Sequence, residues 1–355
     1  VSTLAATSSA AAPRSAPDWR WAAAALLLAL GAAVVLACSV GAVPVGRADW
    51  LAVAQAERSG GAYVLWELRL PRALLAAAVG AALGLAGALA QGLFRNPLAD
   101  PGLLGVTSGA VCAAALVLTV FAATVGALPA AWRPWVLPAC AFVGALGVCF
   151  ALDRIARWLT PGSIAGLLLT GLALNALTMA VVGLCTFVAN DEQLRSLTFW
   201  TLGSLAGASW SVASVLALAL GLALLQSGRL AQSLNALALG EAVAGHVGVD
   251  VARLRSRLIV TIALLAALAV AWCGLIGFIG LMAPHLVRGW AGADQRAVLP
   301  LAALAGALLL LLADTAARLV AIPAEVPVGI LTALIGGPVF LVLLRGVARR
   351  QGGQA

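Results

Sequence analysis

Lysine is missing altogether from this 355-residue chain, whose 21 basic residues are all arginine. A GxxxxGK[ST] phosphate loop is therefore impossible, and any nucleotide hydrolysis must come from a partner chain. Charge of either sign is scarce, at 10% against 63% hydrophobic residues, whereas soluble domains carry ~25% charged residues. That balance excludes an ordinary soluble domain and points to an integral membrane protein. No CxxC spacing occurs among the six cysteines, Cys38, Cys112, Cys140, Cys149, Cys185 and Cys273. All lie in apolar runs, which reads as small buried packing residues and not as a metal or disulfide framework. Paired acids and nucleophile-and-base constellations are also lacking, so a membrane enzyme is disfavoured. The net charge of +8 is spread over short loops between apolar runs, and reads as membrane orientation with no role for nucleic acid.

Long apolar runs are what the chain has in abundance. Their limits predict helices at 21–43, 70–94, 103–126, 135–157, 163–187, 210–227, 258–280, 283–293, 297–319 and 328–347. The fold class is accordingly all-α, a polytopic bundle of about ten transmembrane helices, the eighth too short to cross a bilayer alone. Residues 1–20, rich in Ala, Ser and Thr, are expected to form a disordered cytoplasmic tail, 21–348 a single membrane domain with a cytoplasmic loop at about 229–257, and 349–355 a second tail. Trp21 to Val43 is long enough to span and so is not a cleavable signal. Starting the chain inside places fourteen of the 21 arginines on the cytoplasmic side, which favours both termini there. VLPACAFVGALGVCFALDRIAR at 136–157 echoes VLPLAALAGALLLLLADTAARL at 298–319, and in this layout the two run in opposite directions, as in an inverted repeat. Gly80, Gly84 and Gly87 recur along one helix and GLIGFIGL at 274–281 packs three glycines into one bend, the composition of closely approaching membrane helices.

The most informative stretch runs from Glu67 to Ala110. Arg69 and Arg72 precede an uncharged run from Ala73 to Phe94, about the ~20 residues a span requires. Arg95-Asn96-Pro97 and Asp100-Pro101-Gly102 then break the helix twice, since each proline lacks an amide proton and disfavours helix in the residue before it. LRLPR followed by FRNPLADPGLLG closely resembles the permease subunits of type II ATP-binding-cassette importers, which carry cobalamin, ferric siderophores and haem, and the resemblance extends over nearly the whole chain from about Ala22. It implies a multi-pass protein of the bacterial inner membrane. The implied partners are a second copy of the chain, two ABC ATPase subunits, a periplasmic substrate-binding protein and membrane lipid. ATP and Mg would reside in the ATPase, and this chain would hold no cofactor. RNPLADPGLLG and LTFWTLGSLAG look most like the haem-importing branch, so haem is the expected cargo, ahead of a ferric siderophore and then cobalamin.

The same resemblance assigns residues. Arg69 and Arg72 of LRLPR and Arg318 of LADTAAR would grip glutamates of the binding protein, a task that suits arginine's planar fork. Snorkelling to lipid phosphates is the plainer alternative. LNALALGEAVAGHVGVD at 234–250 resembles the loop that couples to the ATPase, two short helices joined near Gly245, with Gly240, Glu241, Ala242, Gly245 and His246 as its contacts. An amphipathic surface helix would look alike. Asn96, Leu98 and Thr160 match cytoplasmic gates, at turns broken by proline and glycine, although tight loops would read the same. Asn175, Met179, Phe199 and Trp200 would form an aromatic, weakly polar lining for a flat substrate, against the simpler reading of an interfacial aromatic layer. His246 and His285 are read as surface and structural residues, because strong ligation would hinder release of cargo. An ion-coupled secondary transporter is the rival from another class. The middles of the spans are bare of the acids it would need.

Overall fold

Glycines bring the backbones of this bundle into contact. A Cβ on Gly80 would stand 2.2 Å from the carbonyl oxygen of Gly306, one on Gly84 2.2 Å from that of Ala302, and one on Gly87 1.8 Å from that of Gly280. Between membrane helices, where lipid is as apolar as the side chains, such close approach supplies the packing energy that hydrophobic burial supplies in water. Gly87→Ala is therefore expected to cost ~1–3 kcal/mol by overpacking, read as a lowered unfolding temperature in detergent. Gly183→Ala, where a Cβ meets nothing within 4 Å, serves as its control.

The computed structural model describes residues 19–52, 60–322 and 324–352, with side chains as far as 342 in the last segment. Of the expected N-terminal tail, all but Trp19 and Arg20 lies outside the described residues, as do 353–355 of the C-terminal one. In order the helices are α1 (Trp19–Ser39), α2 (Arg47–Leu51), α3 (Gly60–Tyr63), α4 (Leu70–Phe94), α5 (Val106–Leu118), α6 (Ala122–Ala127), α7 (Arg133–Leu159) and α8 (Ile164–Val188). There follow α9 (Asp191–Thr201), α10 (Trp210–Ala238), α11 (Glu241–His246), α12 (Val251–Cys273), α13 (Ile279–Ala291), α14 (Gln295–Val320) and α15 (Val328–Gly352). A π-helical turn, Val64–Arg69, fuses α3 to α4. Among the described residues seven segments are long and apolar enough to cross a membrane. With α5 and α13, of 13 residues each, and α15 they account for the ten helices expected.

Burial ranks these helices. In its most apolar window Gly60–Phe94 is 89% buried and α8 only 17%, so α4 is the axis of the bundle and α8 shows most of its surface to the surroundings. The echo between α7 and α14 extends to structure: each carries a proline within its second turn, Pro138 and Pro300, and near its far end an acid paired with the arginine four residues on, Asp153 with Arg157 and Asp314 with Arg318.

Four boundaries differ from the sequence reading by more than five residues. The helix expected over 103–126 stops at Leu118, where the Thr119 hydroxyl turns back to the Ala115 carbonyl at 2.6 Å and the Thr119 carbonyl accepts from Gln193 Nε2 at 3.2 Å. That glutamine belongs to α9, an amphipathic helix absent from the expected set and opened by an Asn190–Gln193 capping box. The helix expected to end at 227 continues to Ala238, because polar residues mark where a span leaves lipid and do not stop a helix. The one expected over 258–280 starts at Val251, capped by Asp250, and ends at Cys273, where Gly274 takes φ 67°.

Candidate functional site

Two polar clusters occupy opposite ends of α4, whose 25 residues span ~38 Å at 1.5 Å per residue. At its start the π-helical turn leaves Arg69 directed at α1. Its guanidinium donates to the carbonyls of Cys38 at 3.0 Å and Val43 at 2.6 Å, while Arg318 donates to that of Ala37 at 3.0 Å. The Ala37 and Cys38 carbonyls are among those that the end of α1 leaves without partners, Val43 lies in the loop just beyond, and two cations there also complement the helix dipole. One turn on, Arg72 grips Asp314 with Nε at 3.1 Å and Nη2 at 2.9 Å, and its Nη1 reaches Glu325 at 2.7 Å. Arg318 Nε lies 3.4 Å from Asp314 Oδ2, the oxygen that also accepts from Arg72 Nε, and Asp314 is fully buried. The three arginines named from sequence thus do converge, around a cavity of about 440 Å³ that Glu325 also lines. Asp314 and Glu325 are the members that sequence reasoning passed over. The signal for the first was an acid four residues before an arginine inside an apolar run.

At the far end of α4, Arg95 closes the helix in the left-handed region at φ 50°, and the Asn96 side chain accepts from the Leu98 amide at 2.9 Å to form the turn. Arg95 Nη2 stands 3.6 Å from Glu241 Oε1, and Arg255 of α12 donates to the same oxygen at 3.1 Å. The other arm of Arg255 donates to the Gly162 carbonyl at 3.0 Å, in the turn that follows Thr160. One network thus ties Glu241 to the turns that carry Asn96 and Thr160. Nearby, Asn235 at the end of α10 donates to Asp294 at 2.7 Å and accepts from the Gln295 amide at 3.0 Å, which fastens α10 to the start of α14. The Arg296 backbone amide, followed by the Asn235 side chain, holds the Asp294 carboxyl below the usual carboxylate range.

The loop that carries Glu241 is not two short helices joined near Gly245. Gly245 lies within α11, and the joints are Gly240 at φ 116° and Gly248 at φ 86°, where left-handed backbone favours glycine. Ala242 and His246 are exposed, the latter turning Nδ1 to the Ala242 carbonyl at 2.7 Å.

Between the two clusters lies a cavity of about 450 Å³ whose lining includes Leu98, Asp100, Phe278 and Phe340. Burial pushes the Asp100 carboxyl up, against the opposing pull of the Gly102 amide. Residues 274–278 are unwound here, a state tolerated at membrane depth only where the backbone is buried in protein or faces water. Phe278 takes φ 66°, strained for an aromatic residue, and its side chain is seated against Gly336 of α15. Of the expected path residues, Asn175 accepts from Ser108 at 2.5 Å, Met179 and Phe199 are exposed, and Trp200 packs against the core while its carbonyl sits under Gly274. The glycine run at 274–280 was the available signal for the unwound lining.

Residues 26–346 match the FecCD transport family. The chain belongs to that family. This FecCD permease is 48% identical over 295 residues, 81% of its length and 85% of the relative's, to the hemin transport system permease protein HmuU of Yersinia pestis. It is 42% identical over 297 residues to the vitamin B12 import system permease protein BtuC of Vibrio cholerae, covering 83% of this chain and 86% of that one. Among solved structures, an inward-facing metal-chelate type ABC transporter aligns with a TM-score of 0.78 at 33% identity, over 92% of this chain and 99% of its own.

Proposed function

We propose that this permease is the transmembrane subunit of an ATP-driven importer that passes haem from a periplasmic binding protein to the cytoplasm. The observation that carries the cargo is the 48% identity to a hemin permease over four-fifths of the chain. Two copies enclose the path in the bacterial inner membrane, with termini in the cytoplasm, and two ATPase subunits that bind ATP and Mg drive alternating access. The Arg69, Arg72 and Arg318 cluster is then the periplasmic docking end. Arg72 serves best there, since its Nη1 is held by Glu325, whose side chain is 46% exposed and exchangeable for a partner's carboxylate. The exposed face of α11, with Glu241 and Ala242, meets the ATPase, and Asn96, Leu98 and Thr160 close the cytoplasmic mouth. Both α11 and the Arg255 network lie at the end of the bundle opposite the docking arginines, as energy input below and cargo delivery above require.

The test is reconstitution in proteoliposomes with the cognate ATPase and binding protein, comparing uptake of haem, a ferric siderophore and cobalamin. ATP-dependent uptake of haem is expected to exceed that of the other two. Preference for cobalamin, which the 42% identity to a vitamin B12 permease favours, would move the assignment to that cargo. Uptake driven by a proton or sodium gradient without ATP would replace the importer with a secondary transporter.

A further inference from the structure

We infer that Arg255 is a positioning residue, a two-armed strap through which movement of α11 reaches the α7–α8 turn that carries Thr160. The two arms hold different segments: Nη2 grips Glu241 at the first position of α11, 3.1 Å away, and Nη1 grips the Gly162 carbonyl at 3.0 Å. Its own side chain is only 18% exposed, which limits its freedom to swing away; the bond to Glu241 is part-buried and the one to Gly162 lies at the surface. The backbone around α11 is poorly suited to transmit force. Gly240 and Gly248 flank it in left-handed conformations, and a Cβ at either would meet nothing within 4 Å, so these glycines serve conformation and not close packing. A six-residue helix hinged at both ends needs a side-chain tie to move with its neighbours, and Glu241 provides it.

The far arm ends on an equally specific point. Gly162 takes φ 80° with open space around it, so the turn is built to present its carbonyl. The end of α7 is held to the same stretch of α12 a second time, where Arg157 donates to Ser256 at 3.0 Å. Arg95 places the turn after α4 on the same Glu241 oxygen, at 3.6 Å. A shift of α11 therefore pulls first on Arg255, and with it on the Thr160 turn, while the Asn96 turn follows through the weaker Arg95 contact. This deepens the proposed function and rests on α11 being the ATPase contact.

The experiment uses the importer reconstituted with its ATPase and binding protein, and reads haem imported per ATP hydrolysed. Arg255→Ala is expected to lower that ratio about tenfold, the worth of one charge-assisted hydrogen bond, while hydrolysis and co-purification with the ATPase persist. Arg255→Lys keeps the charge yet holds one partner at a time, so it is expected to remain uncoupled. Full coupling by lysine would show a plain ion pair and overturn the strap. A second readout needs no transport. Spin labels at Trp158 and Val247, both exposed, should keep one narrow separation with and without ATP in the parent protein and a broadened one in Arg255→Ala. An unchanged separation in the variant would also overturn the proposal. Ala242→Arg, on the exposed face of α11, separates the two ideas. If it leaves ATPase binding intact, the reading of α11 as the contact fails, whereas normal coupling in Arg255→Ala alongside a disrupted Ala242→Arg defeats the strap alone.

Discussion

Arg72→Ala is expected to lower the stability of the purified protein by ~3–5 kcal/mol, the cost of leaving a buried carboxylate without its main partner. Asp314 is 1% exposed at its side chain and keeps only Arg318 at 3.4 Å when the fork at 2.9–3.2 Å is lost. Removing both partners in Arg72→Ala/Asp314→Ala should recover part of the loss, because neither charge is then stranded on account of the other. The coupling energy from such a cycle is expected at ~0.5–3 kcal/mol, read from unfolding in detergent. Equal destabilisation by the single and the double variant would mean that the pair itself contributes little. Glu325 behaves differently, since its half-exposed contact with Arg72 is worth ~0–1 kcal/mol. Glu325→Gln should leave stability nearly unchanged yet tighten binding-protein association by freeing one arm of Arg72. Weaker association in that variant would count against Arg72 as the docking group.

The second large effect is expected at Gly274, where α12 unwinds. Its φ of 67° and ψ of −155° are strained for any residue with a side chain, and a Cβ would lie 2.1 Å from the Trp200 carbonyl oxygen. Strain and overpacking together predict a loss of about 2–6 kcal/mol for Gly274→Ala. The same change would prise apart the Ser204 amide and the Cys273 carbonyl, now 2.8 Å from each other, and so disturb the wall of the central cavity. Gly277→Ala is the control, because a Cβ there meets nothing within 4 Å. Similar unfolding midpoints for the two variants would show that the junction is loose.

Several features of the site were legible without coordinates. Pro97 and Pro101 announce the break after α4, since a missing amide proton acts on the chain wherever proline stands. Arginines flanking an uncharged run likewise mark the ends of a span. The unwound segment at 274–278 was only hinted at by its glycines, which permit a break without demanding one, and here contacts with Trp200 and Gly203 hold it open. The extension of α10 past 227 was hidden because polar residues are as helical in water as apolar ones are in lipid.

The sequence by itself determined a multi-spanning helical protein, because lipid accepts only backbone that satisfies its own hydrogen bonds, and its lack of lysine leaves no match to GxxxxGK[ST]. Only the tertiary structure decided which charges share a partner: Arg72 meets Asp314 across 242 residues, and Arg255 bridges Glu241 to Gly162. The strength of such contacts depends on distance and burial, which are properties of the packed bundle and leave no period in the chain.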